Sequence, residues 1–203
     1  MPNLIIKPQT GSGNSVILQD QGGAAVLTTA DSGAAIASTV TGGAGLDASN
    51  IGIKSAHEWR LSADTSATLS SVTLTNWYEA NTPVGVGGIG ISMTESSGIW
   101  TFPSTGIWGI QFTMRIQESG GSSRSYVYGH ITTNNSTYNS FFIVEQGYSY
   151  YYTTQCGPFT TVDIQDVANY KVKFIATTGS GEIMMGDAQQ TETGVIFMRL
   201  GDT

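Results

Sequence analysis

Residues 98–116 read GIWTFPSTGIWGIQFTMRI, and the alternation in their second half decides the fold. Every second position there is apolar, with polar residues or glycine between; the apolar set is Trp108, Ile110, Phe112, Met114 and Ile116. Side chains with period two share one face of an extended strand, whereas a helix would scatter them around its circumference. The Pro-Ser-Thr-Gly sequence before Ile107 is typical of a turn. The stretch therefore predicts a half-buried strand that follows a tight turn.

The rest of the chain after residue 57 repeats this organisation. Short runs rich in β-branched and aromatic residues are separated by clusters of Gly, Ser, Thr and Asn, and no helical period lies between them. The runs are LSSVTLTNWY, SYVYGHITT, NSFFIVEQ, NYKVKFIAT and GVIFMRL. This pattern predicts an all-β sandwich or barrel, and residues 57–203 are enough for one substantial core.

The first 56 residues differ from the rest because they contain no Phe, Tyr or Trp. We interpret residues 1–36 as an arm, 37–56 as a Gly-rich linker and 57–203 as a head domain. SVILQDQGGAAVLTT predicts a short β-hairpin in the arm, and an isolated hairpin is at best marginally stable in water. The arm should therefore dock onto another protein. Its docking residues are the apolar clusters Leu4, Ile5, Ile6, Val16, Ile17, Leu18, Val26 and Leu27.

Charge and cysteine content exclude several classes of function. The 8 basic residues are scattered and outnumbered by 15 acidic ones, so the net charge of -7 argues against a nucleic-acid partner. A single cysteine, Cys156, forms no intrachain disulfide, and we expect it to be a small buried or half-buried thiol. No apolar run approaches the roughly 18 residues of a membrane span, and the N-terminus lacks signal-peptide features.

No motif predicts catalysis, a cofactor or a metal. Residues 85–90 match G-x-G-x-x-G, but turn and strand signals flank them where a dinucleotide site needs a strand and a helix. Asp163 and Asp166 fall short of a calcium motif, and Asp166 is better interpreted as capping a turn. Other candidates lack a partner in sequence and are interpreted as surface or strand residues: Glu95, Glu118, Glu145, His57 and His130. We therefore expect a non-enzyme.

A tyrosine-rich segment, GYSYYYTT, is the strongest candidate for binding. An extended chain places Tyr148, Tyr150 and Tyr152 on one face and Tyr151 on the other. Tyr rings carry large contact area at low entropy cost and keep a polar tip. They could stack on glycans of a host surface or line a subunit interface, and we favour the interface or the core.

The opening stretch resembles a motif of a known fold family. Ser97 to Ile110 is similar to the signature tG-xFTxPxxGxYxF of complement globular heads, which belong to the tumour-necrosis-factor-like jelly rolls. Residues 162–174 and the final VIFMRLG are similar to two later segments of that family. Gln165 stands where the family has Gly, and Trp108 where it has Tyr. The resemblance covers about residues 57–203 and implies two five-stranded antiparallel sheets and, as a rule in this family, a compact homotrimer.

A second resemblance involves the arm. Residues 4–36, with AHEWRLS and the ending FMRLGDT, look like short virion structural proteins of marine tailed bacteriophages. In those chains a stereotyped N-terminal segment precedes different heads, which implies an arm that docks to capsid or tail proteins.

Together these resemblances favour a trimeric capsid decoration or head-fibre protein on the virion surface, made in a bacterial cytoplasm. A capsid decoration or head-fibre role and a short tail-fibre role both fit, and the length favours decoration because 203 residues leave no room for a long shaft. The alternative is a short tail fibre or receptor-binding tip that recognises host glycans.

Overall fold

The computed structural model describes residues 17–19, 22, 25–30, 33–36, 52–81, 85–118, 124–147 and 151–203. Within these ranges every regular element is a strand. The chain divides into two compact units, Met1–Ile51 and Gly52–Thr203. Leu4, Ile5, Ile6 and Val16 of the predicted docking set lie outside the described residues.

The first unit contains a three-stranded antiparallel sheet in the order β1-β2-β3. Its strands are β1 (Ile17–Gln19), β2 (Ala25–Ala30) and β3 (Gly33–Ile36). Strands β1 and β2 form the predicted hairpin, with Leu18 opposite Leu27. Strand β3 was not predicted, because its sequence GAAI has little side chain to pack. Its backbone nevertheless pairs with β2, and Ile36 lies opposite Leu27.

The second unit is a sandwich of two antiparallel sheets. The first follows the path β12-β9-β16-β4-β6, with β13 and β15 also paired to β9, and the second follows β11-β10-β14-β8-β7, with β5 paired to β14. The strands are β4 (Ser55–Leu61), β5 (Val72–Thr73), β6 (Trp77–Glu79), β7 (Thr94–Ser96), β8 (Ile99–Thr101), β9 (Gly106–Gln117), β10 (Ser125–Thr132), β11 (Tyr138–Gln146), β12 (Tyr152–Cys156), β13 (Thr160–Ile164), β14 (Lys171–Thr177), β15 (Ile183–Met184) and β16 (Gly194–Gly201).

The predicted strand after the Gly turn is confirmed as β9. Its five alternating apolar side chains, from Trp108 to Ile116, are all completely buried. They face the second sheet across an aromatic core. Trp100 of β8 contacts rings of the opposite sheet, with centroids 4.8 Å from Trp59, 5.4 Å from Trp77 and 5.0 Å from Phe197. These edge-to-face and tilted contacts join the two sheets.

One predicted strand is wrong in detail. LSSVTLTNWY was interpreted as a single strand, but it divides into β5 and β6, which belong to different sheets. Ser71 and Asn76 have φ values of 53° and 63°, so the chain turns before and after β5. The Trp77 indole N–H then donates to the Leu74 carbonyl at 3.0 Å, which closes the bend.

The two-residue turn between β7 and β8 has both central residues in the left-handed region. Ser97 has φ 54° and Gly98 has φ 80°, as the tight turns of twisted hairpins require. A Glu95 carboxylate oxygen accepts the Gly98 N–H at 2.5 Å. A Cβ on Gly98 would lie only 2.4 Å from the Leu74 carbonyl oxygen. The glycine is therefore required for both its φ and its small size.

We expect Gly98→Ala to destabilise the protein by at least ~1–2 kcal/mol, because alanine disfavours the left-handed region and its Cβ would clash. Thermal or urea unfolding measures the effect. Gly147→Ala is the matched control, because a Cβ there meets nothing within 4 Å and φ lies outside the left-handed range. Equal stability of the two variants would contradict this account of the turn.

Candidate functional site

The structure describes one of the three predicted interface tyrosines. Tyr152 begins β12 and is 53 % exposed. The Arg115 guanidinium carbon lies 5.4 Å from its ring centroid, a cation–π contact, and Arg115 also pairs with Glu192 at 3.0 Å. Tyr148 and Tyr150 lie outside the described residues. Their role at an interface or at a ligand therefore remains a prediction.

The outer surface of the first sheet carries an apolar area around Gly109, which we call the association face; it consists of Phe159, Ile196, Met198 and Leu200. The Phe159 ring covers Gly109 so closely that a Cβ there would lie 2.1 Å from Phe159 Cζ. Met198 is directly opposite Gly109 in the β16–β9 ladder. Phe159 is 48 % exposed and Ile196 is 37 % exposed. Strand β16 is thus apolar on both of its faces.

Cys156 is exposed and not, as expected from sequence, buried or half-buried. It ends β12, a strand in which exposed and half-buried residues alternate. It pairs with Thr113 of β9 on the outer side of the sheet, with 3.6 Å between Sγ and the Thr113 hydroxyl. Its exposure follows from this outward register.

The outer surface of the second sheet carries aromatic and basic side chains, which we call the tyrosine–lysine face; it consists of Tyr126, Tyr128, His130, Tyr138 and Lys173. Tyr126 and Tyr128 have ring centroids 5.3 Å apart at 72°. Tyr128 and His130 follow at 6.0 Å and 83°. Lys173 Nζ lies 4.2 Å from the centroid of Tyr138. All five side chains are half-buried.

The sequence contained a signal for this face that was missed. Tyr126, Tyr128 and His130 have period two within β10, so they share a face, while Val127 between them is completely buried. The run at Tyr148–Tyr152 is denser in the sequence and hides the weaker period-two signal in β10. Sequence alone placed His130 on a strand but supplied no neighbour for it. Lys173 comes opposite His130 only through the β10–β14 pairing.

Electrostatics at this face follow from burial and pairing. Burial first, and then the nearby charge of Lys173, lower the pKa of His130 from its ordinary 6.5. Burial raises the pKa of Tyr138. At the rim, Arg124 pairs with Glu145, and this contact holds the pKa of that carboxyl below its usual value. Lys171 donates a hydrogen bond to the Thr101 hydroxyl at 3.0 Å.

The carboxylates of Asp163 and Asp166 accept hydrogen bonds from neighbouring residues of the protein. Asp166 accepts the Ala168 N–H at 2.8 Å and the Asn169 side-chain amide at 2.6 Å, which confirms that it caps a turn. Asp163 accepts from the Gln165 side chain at 3.1 Å. No group of three or more His, Cys, Asp or Glu that could hold a metal occurs among the described residues. In the same residues no helix is long and apolar enough to span a membrane.

Two carboxylates, Glu118 and Glu182, lie buried near one end of the sandwich, so the interpretation of Glu118 as a surface residue is wrong. Glu182 accepts from the Ser125 hydroxyl and, at 3.0 Å, from the Gly179 N–H. Glu118 accepts from the Gln146 amide.

Residues 85–90, the G-x-G-x-x-G match, form a loop whose Ile89 bridges to Ala56 of β4. Loop residue Gly88 packs so tightly on His57 that a Cβ would lie 2.2 Å from its Nδ1.

Comparison with known proteins identifies the fold. No protein-family model and no curated protein matches the sequence. The structure is similar to that of Eiger TNF from S. frugiperda, with a TM-score of 0.52 and 15% sequence identity over 74% of this chain and 94% of that one. It is also similar to murine APRIL at pH 5.0, with a TM-score of 0.50 and 9% identity over 72% of this chain and 98% of that one.

A third structure, PRD1 vertex protein P5, has a TM-score of 0.44 and 15% identity over 74% of this chain and 100% of that one. Identities this low establish the fold alone. Together with the two antiparallel five-strand paths, the matches to Eiger TNF and APRIL show that the second unit is a TNF-like jelly roll.

The lowered pKa of His130 predicts that the stability of the folded state depends on pH. Well above the ordinary pKa of 6.5 the side chain is neutral in both states and contributes nothing. As the pH falls below that value, the unfolded chain takes up the proton more readily than the folded chain, so the folded state loses stability. We expect the Tm of wild type to fall more than that of His130→Asn between about pH 7 and 5. Parallel Tm profiles would contradict the prediction.

Proposed function

We propose that this protein is a non-enzymatic, homotrimeric structural protein of a tailed-phage virion, attached by its N-terminal arm and displaying the jelly-roll head. The observation that carries the trimeric assembly in this proposal is the association face. A capsid decoration or head-fibre position is the preferred location, and a short tail fibre or receptor-binding tip is the alternative.

The association face supports burial against another copy. In an antiparallel sheet with one solvated face, outward positions are usually polar. Strand β16 instead presents Ile196, Met198 and Leu200 outward, while Val195 and Phe197 fill the core. Phe159 and Gly109 extend the same surface. A cluster of large exposed apolar side chains is typical of a protein–protein contact. A trimer is the assembly that the TNF-like resemblance implies.

The virion assignment rests on the sequence resemblance of residues 4–36. The division of the chain at residues 51 and 52 is consistent with an arm and a head. The small sheet of the first unit has three strands of three to six residues, a size that gains stability mainly by packing against something else. We propose that a capsid or tail protein supplies that packing, with Ile17, Leu18, Val26 and Leu27 among the contacts.

Light scattering tests the trimer. We expect the wild-type chain at micromolar concentration to have a mass three times its 21.4 kDa. Ile196→Glu should shift it to monomer without unfolding it, because a charge would be buried at the association face. Ile143→Glu is the matched control, since Ile143 is 39 % exposed on the other sheet, and it should remain trimeric. A monomeric wild type, or a trimeric Ile196→Glu, would contradict the proposal.

Deletion of residues 1–36 tests the arm. The aromatic core belongs to the second unit, so we expect the truncated chain to melt cooperatively. It should fail to incorporate when supplied to assembling particles, because the docking residues are gone. Full-length chain serves as the positive control, detected in purified virions by immunoblot. Normal incorporation of the truncated chain would show that the head itself makes the attachment.

A further inference from the structure

We propose that the tyrosine–lysine face binds a glycan in which isolated carboxylate-bearing sugars occur between neutral ones. This inference rests on the proposed function, since a displayed head gives such a face access to a cell surface. Binding itself is a property of the isolated chain. It can therefore be measured independently of the trimer and of virion attachment.

The face is a set of parallel rows across three strands. Tyr128 lies between Ile143 of β11 and Ile175 of β14 in the ladder. His130, two residues along, lies between Ser140 and Lys173. From Tyr126 to His130 the row extends about 13 Å, at roughly 3.3 Å per residue. An elongated ligand can thus contact apolar, aromatic and basic groups in sequence along one strand.

The aromatic row suits sugars because each ring offers an apolar surface and Tyr adds a hydroxyl. Pyranose rings have C–H groups that pack on aromatic side chains and hydroxyls that bond to polar tips. The edge-to-face contacts at 5.3 Å and 6.0 Å hold Tyr126, Tyr128 and His130 in fixed relative orientations. Such preorganisation lowers the entropy lost when a ligand binds.

Charge complementarity selects an acidic ligand. Lys171 and Lys173 lie side by side on the outer side of β14, and neither has a carboxylate partner within 4.0 Å among the described residues. The strands of this sheet carry two carboxylates, Glu95 and Glu145. Glu95 accepts the turn N–H of Gly98, and Glu145 pairs with Arg124. The face is therefore locally positive.

Overall charge restricts how acidic the ligand can be. The chain carries a net charge of -7, so its long-range field repels a polyanion with a charge on every unit, such as nucleic acid. The ammonium groups of Lys171 and Lys173 can pair with the carboxylate of one acidic sugar. The aromatic rings can pack on the neutral sugars beside it. A glycan with widely spaced acidic sugars fits both conditions.

A purely structural role for these rings makes a different prediction. Cross-strand aromatic pairs can stabilise a sheet without any ligand. If that were their only role, substitutions at Tyr126 and Tyr128 would change the stability of the fold and leave glycan binding unchanged. Binding and stability must therefore be measured on the same variants. Tyr128→Leu preserves apolar packing while removing the ring and hydroxyl, and Lys173→Met preserves length while removing the charge.

Calorimetric titration with hyaluronan oligosaccharides, in which glucuronic acid alternates with a neutral sugar, tests the proposal on the full chain. Carboxyl-reduced hyaluronan is the neutral matched probe. We expect binding of the acidic form that weakens with salt, and about tenfold weaker binding by Tyr128→Leu and by Lys173→Met. Tyr78→Leu, in a half-buried tyrosine of β6 on the other sheet, should bind like wild type.

Three outcomes would overturn the proposal: no binding of the acidic probe at millimolar concentration, equal binding of the reduced probe, or unchanged binding by both face variants. If binding is lost only in variants that also lose their fold, Lys171→Met at the face margin is the decisive variant, and wild-type affinity there would count against the proposal. A monomeric protein that binds hyaluronan would refute the trimer and leave this inference intact.

Discussion

Strand β9 is the element on which the other strands of the first sheet depend. It pairs with β12, β13, β15 and β16, and its side chains alternate between the core and the outer surface, where Gly109 is buried beneath Phe159. A register shift of one residue would move Trp108 to solvent and Gly109 into the core. The alternation therefore fixes the registers of its partners, and the small outward residue Gly109 makes room for Phe159.

The aromatic core explains why both outer surfaces are available for other roles. Trp100 and Phe174 from one sheet meet Trp59, Trp77, Phe112 and Phe197 from the other. These contacts lie between the sheets, and the outward positions of the strands take no part in them. The outward residues of β10 and β16 are thus the ones whose chemistry requires a separate explanation.

Sequence periodicity predicted the elements that a local pattern encodes, and it missed the features that depend on which strands pair. The β9 alternation, the β1–β2 hairpin and the Asp166 turn could be predicted because each is encoded within a few residues. The division of residues 69–78 could not, because positive φ at Ser71 and Asn76 has no glycine to mark it. The tyrosine–lysine face depends on which strands become neighbours, so Lys173 could not be assigned to it. Cys156 was misplaced for the same reason.

The two outer faces are compatible because they belong to opposite sheets of the sandwich. Association through β16 and Phe159 would leave β10 and its tyrosines uncovered. Three copies around an axis would then present three identical tyrosine–lysine faces. A glycan chain or a glycan-covered surface that engages more than one face gains from effective concentration, so even a weak single-site affinity gives firm attachment. Trimeric assembly and glycan binding would therefore reinforce each other without sharing any residue.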